Sequence, residues 1–446
     1  MPYRHTLILS FVIAQLSFTL PAGATEIQTD AGLQSALDAD QHEEIYQWLQ
    51  KQKTLPTLLL SWPFANEGGT PYPMHGSLLH WAAFKGDQKL VQSLLSKGAN
   101  INSVVKEYGN TVLMCAIKGQ QFEMAKFLID KGADPNQKDE YGYTALYDAV
   151  TRQRLDFVKL LHEKGGQLNY KDPNGSSLIL LAVANHGWDM VSFLLDHGAS
   201  PNGEDYLGYT ALSYAINAGH LKTVQHLVQK GADIKSKDSR DSTALIQAAE
   251  QGYWPIVNYL MSQGLNPLLT DLSGNNVLLF AARDGQLELV KTLLAKGANP
   301  NVPASHQTPL MNAAENGHLE ILKLLLAKGA NVKAQNDEHF TALTFAVQKG
   351  NLEMVKLLLD KGADPNTVSA VYYKVDMESM ESILGYAIAQ GNQEIIKLLL
   401  AKGADPNIEN LHGANALTMA VVKEDLPLVH LLLAKGARFK VTMSGD

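Results

Sequence analysis

Three stretches invite a chemical reading. His162-Glu163 opens like the metal-binding pair of a zinc protease, but Gly166 holds the place where a second histidine must reach the metal one helical turn later. Gly175-Ser176-Ser177 lacks the spacing of a nucleophile elbow, and no G-x-x-x-x-G-K-[ST] loop is present to cradle a phosphate. Hydrolysis and phosphoryl transfer have no carrier. Cys115 is the sole cysteine, so intramolecular disulfides, C-x-x-C redox pairs and cysteine zinc sites are excluded. The sequon Asn174-Gly175-Ser176 is a single short match and decides nothing.

What remains of the reactive residue types recurs with a period. Acidic residues such as Glu320, Glu353 and Glu394 fall where a carboxylate meets the start of a helix favourably. A small polar residue opens each period, at Ser77, Thr111, Thr144, Ser177, Thr210, Thr243, Asn276, Thr308, Thr341, Ser382 and Asn415, which makes eleven repeats. The step is 33 residues in seven of ten cases, and the step of 41 from Thr341 to Ser382 marks an eight-residue insertion. Each opener can cap a first helix through its side chain, and Leu and Ala at three-residue spacing then give one apolar face. A second helix carries Leu352, Val355, Leu358 and Leu359 and ends at Gly362, suited to a left-handed terminus. Asp-x-x-Gly stretches at Asp139 to Gly142, Asp205 to Gly208 and Asp271 to Gly274 read as tight turns.

Within a repeat the order is Thr308-Pro309-Leu310-Met311-Asn312-Ala313-Ala314, then Gly317-His318, then Lys328-Gly329-Ala330-Asn331. These stretches, with Gly132-Ala133-Asp134-Pro135-Asn136 and Gly403-Ala404-Asp405-Pro406-Asn407, resemble the ankyrin repeat over about five-sixths of the chain. The resemblance implies an all-α fold: an ankyrin-repeat solenoid of helix-turn-helix units with short β-turn or hairpin tips, about eleven repeats over residues 77–440. His80 and His318 stand where that family has histidine, and His220 follows the inter-helix Gly219, so all three are read as structural. Cys115 falls near the apolar stripe, where a thiol acts as a small hydrophobe.

A stack of this kind needs caps. Residues 33–49 read as a degenerate first repeat, because Leu33, Ala36, Ile45, Trp48 and Leu49 keep the offsets of Leu79, Ala82, Val91, Leu94 and Leu95. Within residues 25–76 they are followed by a proline-rich connection, with Pro56, Pro63, Pro71 and Pro73, expected to pack on the first helices. Residues 1–24 have the pattern of a secretory signal peptide: Arg4 and His5, an apolar run from Leu7 to Leu20, then Ala22-Gly23-Ala24. The apolar run is shorter than the ~20 residues of a membrane span. Cleavage removes Arg4 and no acid, leaving 36 basic against 45 acidic residues, a charge of −9 where the whole chain has −8. With 46% hydrophobic and 18% charged residues the chain can bury a core, and it lacks the basic runs of a nucleic-acid binder.

The expected function is therefore non-enzymatic: a periplasmic protein-protein interaction module that holds, shields or inhibits an exported protein, with no cofactor or metal. A monomer with no nucleic-acid partner and no membrane insertion is expected. An extracellular location, or a host-directed effector binding host proteins, is the alternative. By the resemblance, partners dock on turn tips and the outer ends of first helices, which form a concave face. Those positions hold Tyr108, Tyr141, Tyr143, Arg152, Tyr206, Leu207 and Tyr209, with Asn185 nearby, residue types that concentrate binding energy or pack on neighbouring tips. The insertion around 367–380 adds Tyr372 and Tyr373 among Val371, Val375, Met377 and Met380, and either folds back on the repeats or meets a partner.

Overall fold

The structure, a computed structural model, describes Leu33 and residues 42–52, 60–65, 71–104, 109–205, 207–302, 307–373, 377–410 and 412–439. Residues 1–24, Tyr108 and Tyr206 lie outside the described residues. Among those described, helices dominate and come in pairs, from Leu78–Lys85 with Gln88–Ser96 to Ala416–Val422 with Leu426–Ala434.

Capping explains where each pair begins. Every opener from Ser77 to Asn415 is the residue before the first helix, and in ten of the eleven its side chain accepts a bond from the backbone N–H three residues on. At Ser77 the partner is instead the His80 ring, 2.8 Å from the hydroxyl. An alanine five residues after each opener, from Ala82 to Ala420, is at most 1% exposed. With no side chain beyond Cβ at that place, successive first helices approach closely. Gly362 closes its repeat at φ +91°.

The chain divides between Gln167 and Leu168 into two compact units. In the first, helix Leu78–Lys85 packs on Val112–Lys118, which packs on Ala145–Thr151. Helix His42–Lys51 joins them, burying Ile45 and Leu49 completely, and its His42 Nδ1 lies 2.8 Å from Asp87 Oδ2. The proline-bearing connection forms an antiparallel hairpin against helix Leu78–Lys85, β1 (Leu60–Ala65) with β2 (Pro71–Gly76), Leu60 opposite Gly76. In the second unit the first helices stack in order from Leu178–Ala184 to Ala416–Val422.

Asparagine side chains tie repeat to repeat. Asn102 donates from Nδ2 to the Gly132 carbonyl (3.2 Å) and accepts at Oδ1 from Asp134 N–H (2.9 Å). The same pair of hydrogen bonds is made by Asn136, Asn169, Asn202, Asn301, Asn366 and Asn407, as where Asn202 donates to Gly231 O (3.1 Å) and accepts from Asp233 N–H (2.8 Å). Lys235, Leu268 and Lys333 stand at that place in the other repeats of the second unit up to residue 366.

Candidate protein-binding surface

In the first unit the tip after Lys138 is built by one carboxylate. Asp139 Oδ1 accepts from the N–H groups of Tyr141 (3.0 Å) and Tyr143 (2.8 Å), and Gly142 N–H bonds the Asp139 carbonyl at 3.1 Å. Burial holds that carboxyl above the usual carboxylate range, against the downward pull of those N–H bonds. Tyr141 is 58% exposed, yet one edge of its ring covers Gly109 of the preceding tip, where an added Cβ would sit 2.6 Å from the ring. Tyr143 packs on Tyr147 with ring centroids 4.4 Å apart. Below them Lys118 meets the buried Asp148 at 3.4 Å and donates to Asn110. Arg152 follows helix Ala145–Thr151 and is half-buried. Arg154 grips Asp156 with two bonds, 3.0 and 2.7 Å, which holds that carboxyl below its usual range.

The second unit repeats the construction. Asp205 Oδ1 accepts from Leu207 and Tyr209 N–H at 2.9 Å each, and Tyr214 hydroxyl donates to Oδ2 at 2.9 Å. Tyr209 meets Tyr214 edge to face at 6.1 Å. Leu207 is 48% exposed. Asn185 follows helix Leu178–Ala184 in the place Arg152 has in its own repeat.

Two residues of this surface escaped the sequence reading. Arg240 has the offset of Tyr141 and Leu207, three residues before its opener, so the repeat register could have found it. Its guanidinium lies 3.3 Å from Asp238 and 3.4 Å from Glu250. Leu272, at the next tip, bonds the Arg240 carbonyl through its own N–H at 3.1 Å and is one of the most exposed apolar side chains described.

The insertion is an antiparallel hairpin, β3 (Val368–Tyr373) with β4 (Met377–Ser382). Tyr372 and Tyr373 stand in β3 opposite Glu378 and Met377 by backbone register; their side chains lie outside the described residues. Its base belongs to the stack: buried Ser369 donates to the His339 carbonyl at 3.0 Å, and buried Glu381 accepts from Ser382 N–H (3.1 Å) and Asn410 Nδ2 (3.2 Å). Burial pushes the Glu381 carboxyl up. Gly385 leaves the room it needs, since a Cβ there would meet the carboxylate at 1.9 Å.

The histidines and the cysteine are held inside the architecture. His80 is buried, accepts at Nδ1 from Ser77 N–H (3.3 Å), lies with Nε2 3.2 Å from the Ser103 carbonyl, and has its pKa pushed down to about 4 by burial. His318 Nε2 lies 2.9 Å from the Arg283 carbonyl. His220 caps its helix through Nδ1, stacks on Trp188 at 4.2 Å, and desolvation lowers its pKa. Cys115 is fully buried, which raises its thiol to about 12. His162 and Glu163 end their helix, so Gly166 falls beyond it. No group of three metal-ligating side chains occurs among the described residues, and no described helix is long and apolar enough to cross a membrane.

The model of the family described as ankyrin repeats matches residues 79–172, 164–238, 236–304, 278–369 and 370–443. The chain belongs to the ankyrin-repeat family. It is an all-α ankyrin array, and its repeats make it a protein-protein interaction module. The array is also similar, at 37% identity over 59 residues, to the human transient receptor potential cation channel subfamily A member 1. That stretch is 13% of this chain and 5% of the channel subunit, so the likeness is confined to a small part of both.

Proposed function

We propose that this ankyrin array is a non-enzymatic binding module of the cell envelope, exported by residues 1–24 to the periplasm, where it holds, shields or inhibits an exported protein. The observation that carries the reading is the construction of the tips: exposed Tyr141, and in the other unit Leu207, each stand on a turn whose backbone an aspartate already fixes. A partner docking there orders little of this chain, so most of the contact energy survives as affinity. Half-buried Tyr143 and Arg152 belong to the repeat of Tyr141 and half-buried Tyr209 to that of Leu207, and Tyr108, Tyr206, Tyr372 and Tyr373 are further candidates from the sequence alone.

The test is capture from the envelope fraction by the tagged full chain, followed by affinity measurement on the protein that co-elutes. Tyr141→Ala with Leu207→Ala is expected to weaken binding at least about tenfold, since an anchor residue contributes more than ~1 kcal/mol. Their exposure keeps the shift in melting temperature under about 2 °C. Unchanged affinity removes the tips from the proposal. Export is tested separately: the protein recovered from the periplasmic fraction should begin at Thr25, and a chain still beginning at Met1 in the cytosol overturns the envelope assignment.

A further inference from the structure

The asparagines that tie repeat to repeat show what a carboxamide receptor looks like in this fold. Each of the seven donates from Nδ2 to a glycine carbonyl of the next repeat at 2.9 to 3.3 Å, and accepts at Oδ1 from the N–H two residues further on at 2.7 to 2.9 Å. The receiving backbone is thus one acceptor and one donor, spaced for the two ends of a primary amide. Lys235 stands 29 residues before Gly264 and 31 before Asn266, the offsets that Asn202 has to Gly231 and Asp233. A lysine carries no acceptor and cannot complete the pair. Among the described residues the Gly264 carbonyl and the Asn266 N–H have no hydrogen-bond partner, and the Asn266 side chain accepts from Leu268 N–H at 3.0 Å. Both residues line a pocket of about 340 Å³, with Ile234, Leu265 and Leu269 as apolar walls and Lys235 and Lys237 beside them. Leu269 is 41% exposed.

We propose that this pocket receives the glutamine side chain of a partner protein, its carboxamide bonding Gly264 and Asn266 as an asparagine of the chain does in the other repeats. The chemistry selects the group. A carboxylate offers two acceptors, one of which would face the Gly264 carbonyl, so glutamate is refused in spite of the lysines. A trans peptide group points its N–H and C=O in opposite directions, so one peptide unit of a partner's main chain cannot make both bonds. The apolar walls favour glutamine over asparagine, because its second methylene is also taken out of water. The volume lies at the small end of ligand sites and suits one side chain better than a larger molecule. Free glutamine is the poorer occupant, since its ammonium and carboxylate lose hydration beside Ile234, Leu265 and Leu269. The inference rests on the array being a protein-binding module and adds to it one side chain of the partner; it does not require the tips to bind.

Titration of the isotope-labelled full chain with the blocked peptide Ala-Ala-Gln-Ala-Ala, followed by NMR at the Asn266 N–H, tests this. The resonance should shift and saturate with a dissociation constant on the order of a millimolar, as two hydrogen bonds and a short apolar stem allow. Peptides with glutamate or leucine at the centre should bind at least about tenfold more weakly, because each leaves one or both backbone groups unpaired. Lys235→Asn supplies the carboxamide from within the chain, so it should weaken the glutamine peptide at least about tenfold without lowering the urea midpoint. Leu269→Ser, at an exposed position, should weaken it about threefold with the fold intact. The proposal is overturned by the absence of a saturable shift, by a glutamate or leucine peptide that binds as tightly, or by undiminished binding in Lys235→Asn. Free L-glutamine binding at least as tightly as the peptide makes a metabolite the occupant and overturns docking of a protein. Because the peptide replaces the partner, a failure here and a failure of capture through the tips are separate results.

Discussion

Single residues set the conditions under which this array holds together, and His80 shows how. In the folded chain its pKa is about 4 against an ordinary 6.5, because burial favours the neutral ring. Between those values the unfolded chain binds the proton more readily, so stability falls as pH falls through that window and is unaffected above it. From pH 7 to pH 5 the loss should be about 2 kcal/mol. Urea unfolding of the wild type and His80→Gln at the two pH values checks this: the wild type should lose that much more than the variant, and an equal loss removes His80 as the cause. That His80 is structural was legible in the sequence from its place in the repeat, as was the burial of Cys115. The ion pair of Lys118 and Asp148 was not, because the two lie 30 positions apart and only the stacking of their helices brings them together.

Helices, turns and hairpins were unequally legible. The openers gave the start of every first helix, since a capping side chain acts within three residues and needs no tertiary contact. The two hairpins were not seen. Pro63, Pro71 and Pro73 in β1 and β2 weaken any strand signal, and prolines survive there because a two-stranded ribbon leaves edge positions where no N–H is needed. The insertion was seen as apolar and aromatic, and the structure adds that its base is bonded into the repeats on either side through Ser369 and Glu381. Asn136 and Asn407 were read as parts of a repeated motif; the structure shows them as bonds between repeats. Each makes two hydrogen bonds at about 1 kcal/mol apiece. Asn202→Ala should cost about 1–2 kcal/mol, and Lys235→Asn, which supplies the missing rung, should return about 1 kcal/mol, both measured by urea unfolding. No gain from Lys235→Asn would show that backbone placement, not the side chain, makes the rung.

At the scale of the molecule, each of the two units contains its own stack, and the mild net charge of −8 leaves no long-range field to draw a polyanion to either. The periodicity that made the family legible also hid what distinguishes the repeats from one another, because attention to the shared positions passes over the departures from them, even where the register marks their place. Arg240 at its tip is such a departure. One more lies in the cross-bonded asparagines, which run unbroken through Asn169 and Asn202, are replaced at Lys235 and Leu268, and resume at Asn301. Pulled from its two ends by optical tweezers, the second unit should yield first across residues 235–300, and its force-extension trace should show a plateau that Lys235→Asn shifts to higher force.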